Sequence, residues 1–429
     1  MRFTTVSQWL AWQETLNPRE IDLGLERVRK VAQRLNLLQP GFKVITVAGT
    51  NGKGSCVALL SAIYSAAGYR TGVYSSPHLL HYQERIRLNE QDIDAERLCQ
   101  AFQLVDDARA DTPLTYFEFG TLAALLIFAQ AGLDIAILEV GLGGRLDAVN
   151  VLDADVAMIT SIGIDHCDWL GNDREQIGRE KAGIMRSGRP LVCGDIEPPA
   201  VIAAHAEALG APVDWIGHTF CCAIDGATGN WSWRGRSQSY QALPPPRLVG
   251  THQYQNAAAC LAVLERLAPV LPVKRQALET GLRTVRLPGR FQRIKTSPEV
   301  IVDVAHNPQA AQILAANLAT HSVNRPMKGK TLAVFSALLD KDITGVVAAL
   351  HPRIDRWYIA PLGVARAAPL AQLTAAMQRA EVSQYQTFPD LATAYHAACT
   401  DVQAQDRVLV FGSFYTVASV LELEDVSSV

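Results

Sequence analysis

Residues 44–55 read VITVAGTNGKGS, and the interpretation of the whole chain turns on them. The run from Val44 to Ala48 predicts a buried strand, and Cys56 to Ala67 continues as an apolar, helix-like segment. Between them lie three glycines and a lysine. Strand, glycine loop and helix is the layout that cradles phosphate: backbone N–H groups and the helix N-terminus face the anion, while lysine adds a point charge. Gly49, Thr50, Asn51, Gly52, Lys53, Gly54 and Ser55 are therefore candidate phosphate-binding residues. The match to the pattern GxxxxGK followed by Ser or Thr is imperfect, because Gly54 separates Lys53 from Ser55. A glycine-rich turn with no ligand is the alternative for this segment taken alone.

At 429 residues the chain exceeds one ordinary hydrophobic core, so two or three domains are expected. Apolar residues make up 49% and charged residues 19%, the balance of a soluble globular protein. The net charge of −3, with basic residues dispersed, offers no footprint for nucleic acid or an acidic membrane. The N-terminus, MRFTTVSQWLAWQETL, lacks an apolar core of signal-peptide type. The longest apolar stretch, Leu122 to Ala129, falls far short of the roughly 18 residues a membrane span needs. Eight cysteines form no CxxC pair, which reads as reduced thiols and not as a disulfide frame or zinc site. A cytoplasmic chain is expected, monomeric by default because nothing marks a large exposed apolar face.

The first forty residues have helical spacing, notably in EIDLGLERVRKVAQRLNLL. Tyr69 to Ser75 reads as a second strand that closes a βαβ unit, and Ser76-Pro77 interrupts it. Residues 79–92 are polar and basic and read as a long loop near the phosphate site. Helices are expected over Ala95 to Ala108 and Glu118 to Ala131, and buried strands over Asp134 to Val140 and Val156 to Ile162. From Pro212 to Leu243 short alternating runs predict an antiparallel patch that ends at the prolines 244–246. Helices from His252 and Lys274 precede a hinge at Leu287-Pro288-Gly289. Beyond it, strands near 299–304, 331–335, 355–359 and 407–411 alternate with helices. The predicted architecture is α/β, with a cleft between two domains. An N-terminal P-loop-type ATPase domain (1–288) has a parallel sheet and a small antiparallel patch, and a smaller C-terminal Rossmann-like doubly wound domain (289–429) follows.

Glu139 ends an otherwise apolar strand ahead of GLGGRLD. Ligands of open α/β sheets sit beyond the carboxyl ends of strands, so this acid would reach the crevice of the glycine loop. Magnesium takes one or two carboxylates plus phosphate and water, and Glu139 suits that role; pairing with Arg145 is the alternative. His166, in SIGIDHCDWLG, follows another apolar strand and is either a metal ligand or a hydrogen-bonded packing residue. Asp165 and Asp168 beside it suit helix caps. Lys181, in GREKAGIMR, falls on a helix, where lysines are usually solvated. Asp303 ends the strand EVIVDVA and suits ribose hydroxyls, and His306-Asn307-Pro308 opens a helix whose N-terminus suits an anion. Arg290, after the hinge, is a phosphate candidate or a surface arginine.

In order along the chain, TVAGTNGKGS, YSSPHL, ILEVGLGGRLDAVN, TSIGIDHCDWLG, REKAGIMR, LPGRFQ, DVAHNP and FGSFYTVA resemble the folylpolyglutamate synthase family, within the Mur-type ATP-dependent amide ligases. The resemblance covers nearly the whole chain, and the family's Lys-Gly-Ser order accounts for Gly54. It implies a ligase that joins the amino group of L-glutamate to a folate-type carboxylate while ATP becomes ADP and phosphate. The first domain would bind ATP and folate, and the second would contribute to nucleotide and glutamate binding. One magnesium would be held by Ser76 and Glu139, and a second by Glu139, His166 and a carbamylated Lys181; a monovalent cation is a further implied cofactor. Lys53, His166 and Lys181 would form the catalytic set, and Asn256, Arg290 and Asp303 would contact nucleotide, with His306 nearby.

On the folate side, Ile21, Asp22 and Leu23, the run Thr115, Tyr116, Phe117 and Glu118, and Leu146, Asp147 and Ala148 resemble the bifunctional bacterial members. Those use dihydropteroate first and tetrahydrofolates afterwards. Phe117 would stack on a pterin, or else serve as a core aromatic at a helix start, while Asp22 or Asp147 would bond the pterin's guanidine-like edge. A single folylpolyglutamate synthase activity, or a Mur-type ligase acting on another carboxylate, are the alternatives. Only about forty residues precede the loop, which argues against a UDP-sugar domain there. A P-loop switch or motor is the more distant rival, and its hydrolysis of nucleotide would not depend on any carboxylic acid.

Overall fold

The computed structural model describes residues 1–19, 21–324 and 329–426. It divides into two compact units, Met1–Arg247 with Gln253–Arg286, and Leu248–His252 with Leu287–Val429.

The first unit is built on an eight-stranded sheet, ordered β4-β3-β2-β5-β1-β6-β7-β8. Its strands are β1 (Lys43–Ala48), β2 (Thr71–Tyr74), β3 (Ile86–Leu88), β4 (Gln91–Asp92), β5 (Ile135–Glu139), β6 (Val156–Ile159), β7 (Leu191–Cys193) and β8 (Val213–Trp215). From β2 to β8 along the sheet, every pairing is parallel. Helices cover such a sheet on both faces, so its strands need apolar residues on both sides. In β5 all five residues are buried, and in β1 all but Lys43. The Lys53–Ala66 helix has ten buried residues, so it lies inside the fold and not on its surface.

Residues 79–92 are not a long loop. A 3-10 turn, Tyr82–Arg85, leads into β3 and β4, which extend the sheet antiparallel to β2, with Ile86 fully buried. The βαβ crossover from β1 to β2 skips one position, which β5 fills. β6 ends at Ile159, short of the expected Ile162, because Thr160 and Ser161 turn their side chains onto the carbonyl oxygen of Asn51. Among the described residues near the start of the chain, only Val6–Gln13 and Glu26–Arg34 are α-helical. Ile21, Asp22 and Leu23 precede the second of these helices, and Glu20 lies outside the described residues.

The antiparallel patch is a separate sheet of three strands, β9 (Cys221–Ile224), β10 (Trp231–Arg234) and β11 (Ser239–Leu243). It is smaller than expected, because residues 213–215 join the main sheet as the parallel strand β8. Trp233 anchors it by donating its indole N–H to Ala258 O at 3.0 Å, on the His252–Leu267 helix.

The second unit has a six-stranded sheet ordered β12-β13-β17-β14-β15-β16. Its strands are β12 (Gln292–Thr296), β13 (Glu299–Asp303), β14 (Thr331–Phe335), β15 (Arg356–Ile359), β16 (Tyr385–Thr387) and β17 (Arg407–Phe411). Four of them were legible as apolar runs. The edge strands β12 and β16 are half-exposed and polar, which hides them from a hydrophobicity reading. Among the described residues, no helix is long and apolar enough to cross a membrane.

Candidate active site

The carboxyl ends of β1, β2, β5, β6 and β7 lie along one edge of the first sheet, and the candidate residues follow them directly. β1 runs into the glycine loop, β2 into Ser76, β5 ends in Glu139, and β6 leads to His166. A Cβ on Gly49 would stand 1.8 Å from Thr160 Oγ1, so only glycine lets the loop pass this close to the strand beside it. Gly52 adopts the left-handed conformation (φ 89°) as N-cap of the Lys53–Ala66 helix, and a Cβ there would meet Asn256 Oδ1 at 2.9 Å. Asn256 thus stands over the phosphate loop. Its neighbour Gln253 donates to Ser55 Oγ at 3.3 Å, which ties the His252–Leu267 helix to the loop's end. The Lys53 ammonium donates to Gly49 O (3.0 Å) and Thr50 O (3.2 Å), across the mouth of the loop.

Glu139 is buried and accepts from Ser76 N at 3.4 Å, which brings the first implied metal pair together. Arg145 pairs with Glu180 at 2.9 Å and not with Glu139. Lys181 departs from the solvated lysine expected on a helix. It is 3% exposed near the end of the Arg174–Ala182 helix. Burial and the Lys53 cation lower its pKa to about 7, against the opposing pull of Asp165, Asp147 and Glu180. The GLGG loop seals it in: a Cβ on Gly144 would lie 2.9 Å from Glu180 O and 3.2 Å from Lys181 Cα.

His166 is itself the N-cap of the short Cys167–Leu170 helix, with φ 53°; Asp165 accepts its backbone N–H at 2.8 Å, and Asp168 lies in the first turn. Neither aspartate is the cap, because His166 itself occupies the N-cap position. The described residues hold no cluster of three or more His, Cys, Asp or Glu able to cage a cation. One buried carboxylate beside a serine is the donor set of a magnesium-type ion that takes its other ligands from phosphate and water, so Ser76 and Glu139 fit such a site.

The folate-side candidates surround the start of the Tyr116–Ala131 helix. Thr115 and Glu118 close a capping box: Thr115 N donates to Glu118 Oε2 (2.8 Å) and Glu118 N to Thr115 Oγ1 (3.2 Å). Arg27 bridges Asp22 (2.8 Å) and Glu118 (3.1 Å), so Asp22 joins this cluster. Phe117 is half-buried, with its ring against Gly141 and 5.8 Å from that of Tyr74, while Tyr116 stacks edge-on to Tyr82. Asp147 is buried and accepts from Leu142 N (2.8 Å) and Val149 N (3.0 Å), closing the turn that holds Leu146 and Ala148. Burial lifts its pKa to about 6 even though those N–H groups and Lys53 pull it down.

In the second unit Asp303 ends β13, and its two oxygens accept from Phe291 N and Ala305 N, each at 2.8 Å. Burial raises its pKa, opposed by Arg290, the two N–H groups and His306. The Arg290 guanidinium lies 5.1 Å over the Phe414 ring, and the His306 ring sits 6.4 Å from it. His252, which the sequence did not single out, belongs here too, its pKa lowered to about 4 by burial and by Arg290. Asn307 caps the Pro308–Asn324 helix by accepting from Ala310 N at 2.9 Å.

The Mur ligase middle domain matches residues 47–193, and the Mur ligase glutamate ligase domain matches residues 289–414. A dihydrofolate synthase/folylpolyglutamate synthase of Escherichia coli (strain K12) is 46% identical over 420 residues, or 98% of this chain and 96% of its own length. This chain belongs to that family of Mur ligases. The Haemophilus influenzae enzyme of the same name is 40% identical over 437 residues, 96% of each chain. Escherichia coli FolC in complex with DHPP and ADP superposes with a TM-score of 0.92 at 45% identity, covering 98% of each chain. A bifunctional folylpolyglutamate synthase/dihydrofolate synthase with Mn, AMPPNP and L-glutamate bound gives 0.89 at 46% identity, again over 98% of each. In this Mur ligase the middle-domain match contains the phosphate loop, Ser76, Glu139, Asp147, His166 and Lys181, and the glutamate ligase match contains Arg290, Asp303 and His306. Asn256 and the Ile21–Leu23 segment lie outside both, as does Gln253, whose contact with Ser55 the sequence did not signal.

Proposed function

We propose that this Mur ligase joins the amino group of L-glutamate to 7,8-dihydropteroate, giving dihydrofolate, and extends tetrahydrofolate-glutamates, with ATP converted to ADP and phosphate. The observation that carries the reading is the 46% identity, over 98% of the chain, to an enzyme named for both activities. The phosphate loop, Glu139 and Lys181 at one sheet edge support it.

A carboxylate is a poor acyl donor because its leaving group would be oxide. Attack of the pteroate carboxylate on the γ-phosphorus expels ADP and forms an acyl phosphate. The glutamate amine then adds to the acyl carbon, and the tetrahedral intermediate expels phosphate to leave the amide. Lys53 and the loop N–H groups offset the charge gathering on the transferred phosphoryl group. Asn256, Arg290, Asp303 and His306 orient the nucleotide, the second domain contributes to glutamate binding, and the Asp22, Thr115–Glu118 and Leu146–Ala148 segments seat the pterin. Ser76 and Glu139 would hold one magnesium, and Glu139, His166 and a carbamylated Lys181 a second; a bound ion would supply positive charge against the phosphates. Eight unpaired cysteines fit a reducing compartment, the cytoplasm, and we take the working state to be a monomer.

The test is ADP release with ATP, magnesium and glutamate, with and without dihydropteroate or tetrahydrofolate. Release that requires both the folate and glutamate supports the reading. Release independent of either contradicts it, and the two folates separately decide whether one or both activities are present.

A further inference from the structure

The segment that leads from β6 to His166 is gripped from two sides. On one side stands Thr50 of the phosphate loop. Gly163 N donates to Thr50 Oγ1 at 3.0 Å, and the same hydroxyl lies 3.0 Å from Gly163 O. On the other side, Ile162 N donates to Asp195 Oδ2 at 2.6 Å, and Arg174 Nε donates to Ile162 O at 2.9 Å. A terminal nitrogen of Arg174 lies 3.1 Å from both oxygens of Asp195, so the two side chains form one clamp. Asp195 follows β7 and is buried, while Arg174 opens the helix that carries Lys181. Both polar backbone atoms of Ile162 are therefore held by charged side chains from outside the segment. Three residues beyond Gly163, His166 takes the left-handed conformation (φ 53°), which a residue with a Cβ keeps only where its surroundings impose it.

We infer that Arg174 and Asp195 are positioning residues that fix the His166 segment against the phosphate loop. The inference rests on the proposed role of His166 at the divalent-ion and nucleotide site. Arginine is required because one guanidinium spans a backbone carbonyl and a carboxylate at once, whereas the single ammonium of lysine cannot reach both with that geometry. Loss of a partner that orients a metal ligand typically costs ~10–100-fold in metal affinity or activity, and here the lower end applies because the clamp acts through backbone.

The test uses the full chain with Mn2+ and the ATP analogue AMPPNP. Electron paramagnetic resonance reads Mn2+ affinity, thermal denaturation reads stability, and steady-state ligation gives kcat and KM. Arg174→Ala is expected to weaken Mn2+ binding about tenfold and to lower kcat more than it raises KM for ATP. Arg174→Lys is expected to fall between it and the wild type, and it serves as the readout should the alanine variant not fold. In a His166→Ala background, Arg174→Ala should weaken Mn2+ no further, since its effect runs through His166. Additive losses in the double variant overturn the inference, as does unchanged Mn2+ affinity in either Arg174 variant. If His166→Ala alone leaves affinity and kcat unchanged, the role given to His166 is wrong and the inference falls with it.

Discussion

The Lys53 cation lies close enough to Lys181 to oppose a second charge, and Lys181 yields: burial first, and then Lys53, lower its pKa from 10.5 to about 7. A neutral amine can add carbon dioxide, forming an N–C bond and releasing a proton, which is the step proposed for Lys181, while exposed lysines near pKa ~10.4 stay protonated. Metal-free protein in isotopically labelled bicarbonate at about pH 8 should give a carbamate carbon resonance that Lys181→Ala removes. The resonance should fade as pH falls through about 7. Lys181→Ala should be inactive and partly rescued by a short-chain acid. A signal that survives in the variant contradicts the assignment.

The same shift makes stability pH-dependent. Between about 7 in the folded chain and ~10.4 in the unfolded chain, the unfolded state binds the extra proton, so stability rises with pH across that window. In carbon dioxide-free buffer, Lys181→Met should exceed the wild type in Tm most clearly below pH 7, and the gap should narrow toward the alkaline end. Thermal denaturation across pH measures it.

The Lys53 ammonium lies across the glycine loop, held there by Gly49 O and Thr50 O. Removing one such electrostatic stabiliser typically costs ~10²–10³ in kcat, and Lys53→Ala should lose at least that with its Tm little changed. Near wild-type turnover would sink the phosphate-loop assignment.

Thr115 caps the Tyr116–Ala131 helix through its hydroxyl. Thr115→Ala should cost about 1 kcal/mol of stability, and Thr115→Ser should retain the cap. If the segment also seats the pterin, KM for dihydropteroate rises in the alanine variant. A stability loss with KM unchanged would leave Thr115 as a cap alone.

Buried parallel strands are legible because both of their faces must be apolar, which is why Val44–Ala48 and Ile135–Glu139 stood out. Ile86–Leu88 did not, because a three-residue strand flanked by charges carries too short a pattern. The burial of Lys181 was hidden for a different reason. It is sealed by Gly144, distant in sequence, and nothing in REKAGIMR records that contact. The two adjacent glycines at 143 and 144 were the available signal, since they mark a backbone that something approaches closely. Arg174 and Asp195 had no signal, because what they hold is backbone, which any residue supplies.

The most direct test of the account follows oxygen. Dihydropteroate labelled with heavy oxygen in its carboxylate is turned over with ATP and glutamate, and the inorganic phosphate is examined by phosphorus NMR. Passage through an acyl phosphate predicts that each phosphate carries one labelled oxygen, with one ADP and one dihydrofolate formed alongside. Unlabelled phosphate accompanying the amide product would contradict it.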